Sequence, residues 1–105
     1  MNRGERLNEK ELERIAKYAE LTYHARKRIN ERNNTIDYRK AIKNSFLAFY
    51  NTDGAINIAI DVFSYFVVVE ENKRYKIVTF VIKDTGITVY DKWEYAKRGY
   101  KKRNI

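Results

Sequence analysis

The sequence predicts an α+β domain: N-terminal helices packed on one face of a four- to five-stranded antiparallel sheet, then a short C-terminal helix or basic tail. Three observations carry this expectation. Apolar residues recur at helical spacing in the first third of the chain, at Leu12, Ile15, Ala16 and Ala19. The period then changes to alternation, with Ile56, Ile58 and Ile60 separated by Asn57 and Ala59. Short turn signals divide the β segments, so strands adjacent in sequence should pair antiparallel.

The first helix has a readable start. Asn8 stands three residues before Glu11, the spacing of a capping box. Residues 9–32 read as one long helix, or as two with a break near Leu21-Thr22. Pairs such as Glu13/Lys17 and Lys27/Glu31 support its outer face, and Asn33-Asn34 stops it. Thr35 is the expected cap of a shorter helix holding Ile36, Ala41 and Ile42, which ends near Asn44-Ser45. Strand formers follow at Phe46 to Tyr50, and Asn51-Thr52-Asp53-Gly54 is a turn. Tyr65 to Glu70 reads as a central strand covered on both faces. Further strands are expected at Tyr75 to Lys83 and Ile87 to Tyr90, with a helical turn or two from Lys92 to Arg103.

The chain has 105 residues, enough for one domain and too few for two with separate cores. Cysteine is absent, which excludes a disulfide framework, a thiolate metal site and a cysteine nucleophile. One histidine cannot build a multi-histidine metal site, and no metal or other cofactor is expected. Apolar runs such as Phe66 to Val69 fall far short of a bilayer span, and residues 1–6 lack a signal-peptide core. The expectation is a soluble, cytoplasmic protein with no membrane partner.

Charge supplies the first functional clue. Lys and Arg number 22 against 14 Asp and Glu, a formal net charge of +8. Residues 1–33 carry +3, 34–72 carry −2 and 73–105 carry +7, counted from the same sequence. Such asymmetry fits a polyanion-binding face, with nucleic acid the commonest intracellular polyanion. An acidic protein is the other partner this charge suits. A homodimer through the Leu12, Ile15, Ala19 stripe of the first helix is a third reading.

The stretch Tyr23-His24-Ala25-Arg26-Lys27-Arg28-Ile29-Asn30-Glu31-Arg32 carries a His-Ala dipeptide followed by Arg and then Glu-Arg. It resembles a pattern in the BrnT and RelE-type toxin ribonucleases and related small prokaryotic and phage proteins. Tyr65 to Val69 and Lys76 to Phe80 are similar to that family's last hairpin, so the resemblance spans roughly residues 22–91, which it marks as the core of the single domain, and leaves 1–21 as a helical extension and 92–105 as a basic tail. It implies a metal-independent endoribonuclease. The chain differs in its long N-terminal helix and in having no second histidine, which is the ground for an alternative. That alternative is a non-catalytic phage or mobile-element protein that binds and inhibits or regulates a host protein or nucleic acid.

Metal-independent RNA cleavage requires a base for the 2′-hydroxyl, an acid for the leaving oxygen and cations for the phosphorane charge. His24 is the one side chain of ordinary pKa near neutrality and is the candidate acid–base group. On a helix, Arg28 and Arg32 follow it at i+4 and i+8, where guanidiniums suit phosphate oxygens. Lys76 and Thr79 are the candidates to complete the site from the sheet. Lys97, Arg98, Lys101, Lys102 and Arg103 are candidate nucleic-acid ligands, with Tyr95 or Tyr100 available to stack on bases. Against these stand ordinary structural roles: a hydrogen-bonded histidine, arginines paired to Glu20, Glu31 or Asp37, and a threonine that merely favours strands. Phe46, Phe49, Phe66, Phe80 and Trp93 are expected mainly inside.

Overall fold

The structure is a computed structural model, and it describes residues 3–33, 36–82 and 86–98. The elements in chain order are α1 (Glu9–Tyr18), β1 (Glu20–Leu21), α2 (Tyr23–Asn33), α3 (Tyr38–Lys43) and β2 (Leu47–Tyr50). They are followed by β3 (Ile56–Ala59), β4 (Ser64–Glu71), β5 (Arg74–Ile82) and α4 (Val89–Arg98). The sheet order is β1-β5-β4-β3-β2. Strands β2 to β5 pair antiparallel as consecutive neighbours, whereas β1 pairs parallel to β5 through Glu20↔Lys76 and Leu21↔Ile77. The sheet is therefore mixed, and the α+β class expected from the sequence stands.

The long first helix breaks where its stripe falters. The Asn8 side chain accepts from Glu11 N at 2.8 Å and starts α1. Between β1 and α2 Thr22 does three jobs. Its N–H donates to Ile77 O at 3.1 Å, its hydroxyl donates to the same carbonyl at 2.9 Å, and that hydroxyl accepts from Ala25 N at 3.1 Å. One residue thus ends the β1 pairing and caps α2. For α3 the cap is Asp37, which accepts from Lys40 N at 3.2 Å; the expected cap, Thr35, lies outside the described residues.

Two cores sandwich the sheet. On one side α1, α2 and α3 supply Ile15, Ala16, Ala19, Ala25, Ile29 and Ile42 against Ile56, Ile58, Phe66, Val68, Ile77 and Phe80. On the other, α4 supplies Val89 and Ala96 against Leu47, Phe49, Ala59 and Tyr65, with Trp93 half-buried beside them. A bulge makes this alternation possible on β5. The register passes from Val67↔Thr79 to Val68↔Ile77, leaving Val78 as the extra residue. Ile77 and Phe80, three positions apart, consequently face the same core, and their rows of aromatic and aliphatic side chains meet α2.

Three expectations need correction. Residues 3–21 are not an appendage: Ile15, Ala16 and Ala19 are buried, and residues 4–7 lie along the free edge of β2. There Gly4 N donates to Tyr50 O, Tyr50 N to Glu5 O and Leu7 N to Ala48 O. The stripe assigned to a dimer is spent on the chain's own core, since Ile15 and Ala19 are fully buried within it. Finally, Ile87 to Tyr90 is not a strand. Thr88 Oγ1 accepts from Asp91 N at 3.2 Å and Asp91 Oδ2 accepts from Thr88 N at 2.8 Å, a reciprocal cap that starts α4 at Val89.

Candidate functional site

His24 and Arg28 sit one turn apart on the exposed side of α2, beside the row of Ala25 and Ile29 that enters the core. Among the described residues His24 has no hydrogen-bond or ion-pair partner, so the imidazole is open to solvent and not a structural strut. Arg28 Nη1 lies 3.8 Å from Glu31 Oε1, both side chains being nearly half exposed. Arg32 continues the helix, but its side chain lies outside the described residues. Arg26 and Lys27 extend the same exposed face, and Tyr23 at its start is 80% exposed.

The sheet candidates are elsewhere. Lys76 pairs in register with Val69 and Thr79 with Val67, and Val67 packs on the α4 side. Cross-strand partners share a face, so Lys76 and Thr79 point away from the layer that holds α2. Lys76 Nζ is 3.5 Å from Glu71 Oε1 on its own hairpin. The bulge at Val78 is the physical reason Thr79 joins Lys76 on that side. His24 and Arg28 are thus brought together, and Lys76 and Thr79 are not brought to them.

The C-terminal candidates divide similarly. Lys97 Nζ pairs with Glu94 Oε1 at 2.7 Å and lies 4.0 Å from the Trp93 ring centroid. Arg98 is exposed at the end of α4, while Lys101, Lys102, Arg103 and Tyr100 lie outside the described residues. Tyr95, the other tail tyrosine, is half exposed. Phe49, Phe66 and Phe80 are inside as expected, whereas Phe46 is partly exposed with its ring 5.7 Å from that of Tyr90.

Reading the sequence by motif missed the outer surface of α1 and α3. Lys10, Arg14 and Lys17 recur at helical spacing on α1, and Arg39, Lys40 and Lys43 crowd the six residues of α3. Arg39 is a clasp: its Nη1 donates to Ala16 O at 3.0 Å and Lys17 O at 2.8 Å, closing the C-terminal end of α1. A charge count along each helix face would have found this surface. Among the described residues no group of three or more His, Asp or Glu is placed to hold a metal ion, and no helix is long and apolar enough to cross a membrane.

Comparison with protein families, with curated proteins and with solved structures finds no match to this chain.

Proposed function

We propose that this domain engages nucleic acid, RNA in preference to DNA, through its helical layer and without cleaving it. The observation that carries the reading is the charge of two successive helices in one layer. Helices α2 and α3 carry Arg26, Lys27, Arg28, Arg32, Arg39, Lys40 and Lys43 against the single carboxylate of Glu31. Their inner faces are committed to the core, so the charge of Arg26, Lys27, Arg28, Lys40 and Lys43 is presented outward. Concentrated like charge raises the local density of a polyanion and speeds its capture.

The separation of Lys76 from His24 favours binding over cleavage, because a phosphodiester held at His24 is not also held at Lys76. A toxin-like metal-independent endoribonuclease is the second reading, favoured by the exposed imidazole with Arg28 one turn along. It would use His24 as proton carrier and Arg28 as phosphate ligand. One assay separates the two: labelled RNA incubated with the full chain and excess chelator, alongside His24→Ala. Retention of intact RNA in a salt-sensitive complex supports binding. Cleavage that disappears in His24→Ala supports the enzyme, and neither binding nor cleavage overturns both.

A further inference from the structure

Three surface grooves lie side by side across the outside of the helical layer. The first lies between the C-terminal half of α1 and the β4–β5 turn, lined by Arg14, Tyr18, Lys73 and Arg74. The second runs along α1 past Lys10, Arg14, Lys17 and Tyr18. The third lies between α1 and α3, lined by Lys17, Arg39, Lys40 and Lys43. Shared lining residues make them neighbours: Arg14 and Tyr18 border both the first and the second, Glu13 and Lys17 both the second and the third.

We infer that this track is a binding site for single-stranded RNA, with phosphates along the cations and a base stacked on Tyr18. The inference rests on the RNA-binding reading and gives it a site and a strand class. Eight cationic side chains and two carboxylates line the track. Of those carboxylates, Glu20 is engaged by Arg74 at 3.6 Å. Lys10, Lys17, Lys40, Lys43 and Lys73 form no ion pair among the described residues, so their ammonium groups are open to a ligand.

Tyr18 selects the strand class. It is 64% exposed, sits where the first two grooves meet, and has Lys17 Nζ 5.4 Å from its ring centroid. An exposed aromatic ring among cations stacks on any unpaired base, whereas a duplex keeps its base faces inside its own stack. An acidic peptide would match the lysines and leave the ring without a planar partner.

The test is binding of the full chain to a labelled single-stranded RNA oligonucleotide, to the matching duplex and to poly-glutamate, read by fluorescence anisotropy. Variants are a Lys17→Ala, Lys40→Ala, Lys43→Ala triple, Tyr18→Ala and Tyr18→Phe, all exposed changes whose folding is verified by thermal melts. The triple should weaken single-strand binding roughly tenfold or more and flatten the log K against log salt slope by about 2, at ~0.7 per phosphate lost. Tyr18→Ala should weaken it roughly 5- to 150-fold while Tyr18→Phe keeps it, the range for losing one base stack. Wild-type chain that binds no RNA overturns the parent reading. Wild-type binding left intact by the triple, but lost in an Arg26→Ala, Arg28→Ala double, overturns the track alone. Equal affinity for duplex with Tyr18→Ala silent, or poly-glutamate bound as tightly as RNA, overturns the single-strand assignment.

Discussion

The Glu11 carboxylate accepts a hydrogen bond from the Tyr50 hydroxyl at 2.5 Å, joining α1 to the end of β2 across 39 residues. Tyr75 of β5 reaches the same oxygen at 3.3 Å. Glu11 therefore ties the first helix to strands on both sides of β3 and β4, instead of folding back on its own cap as the Asn8-x-x-Glu11 spacing suggests. Replacing it with Leu leaves two half-covered hydroxyls without their acceptor. Glu11→Leu should cost about 2–3 kcal/mol in urea unfolding, and Tyr75→Phe, which loses only the longer bond, about 1 kcal/mol or less. Equal losses in the two variants would contradict the shared-acceptor geometry.

The same cluster sets an alkaline limit. Burial raises the pKa of Tyr50 most, and the hydrogen bond and negative charge of Glu11 raise it further. Tyr75 is raised by burial first, then by the charges of Glu11 and Glu70, with Arg14 opposing. A folded-state pKa above the unfolded value favours the protonated hydroxyl in the fold. Its contribution is whole below the ordinary tyrosine value of about 10 and is lost as pH rises through the folded-state values. Unfolding midpoints should fall from about pH 10 upward, and the fall should shrink in Tyr50→Phe. A midpoint that stays flat in this range would contradict the burial argument.

Gly4 marks where the N-terminal edge segment meets α4. Its φ is +82°, and a Cβ there would stand 2.5 Å from the Lys97 Cα, a backbone atom that no rotamer change can move. The Gly4 carbonyl also accepts from Trp93 Nε1 at 2.7 Å. Gly4→Ala should destabilise by about 2 kcal/mol or more, combining left-handed strain with displacement of α4. The sole tryptophan supplies the readout, as its emission should shift when the indole loses that carbonyl. An unchanged emission and melting temperature would contradict this packing.

Thr88 caps α4 through the reciprocal bonds it makes with Asp91. Thr88→Ala should remove about 1 kcal/mol of stability and lower helical signal in circular dichroism. The Thr88 N–H and hydroxyl hold the Asp91 carboxyl below its ordinary pKa. Its contribution is present above the ordinary carboxylate value and is lost as pH falls through the depressed one. The acid side of the stability curve should therefore be shallower in Thr88→Ala than in the wild type. Identical acid curves would count against the cap.

Much of the fold was legible because local signals agreed with global packing. Strands β2 to β5 fall where alternation and turn residues put them, and the Asn72-Lys73 turn, with φ of 54° and 63°, is the tight reversal its position implied. The strand β1 was not legible, since two residues carry no periodicity and their pairing depends on β5, 56 residues later. Val89 and Tyr90 looked like a strand because β-branched and aromatic residues favour extension, while the Thr88-x-x-Asp91 cap that decided the matter went unread. At the candidate site, helical spacing placed His24 and Arg28 correctly on one stripe. The faces of Lys76 and Thr79 turned on the Val78 bulge, which no residue in the strand announces. The α1–α3 cations were visible as charge, but only the packing of the two helices sets them along one track.

The proposed function requires that the outward charge of the helical layer receive a phosphate backbone. The most direct test is the equilibrium constant for a single-stranded RNA oligonucleotide, measured for the full chain as salt is raised from about 50 to about 200 mM. The account predicts a linear fall of log K with log salt, at a slope near −0.7 for each phosphate neutralised and so about −3 or steeper for four or more contacts. It also predicts that the RNA is recovered uncut. Affinity that does not change across that titration, or the absence of a complex at its lowest salt, would contradict it.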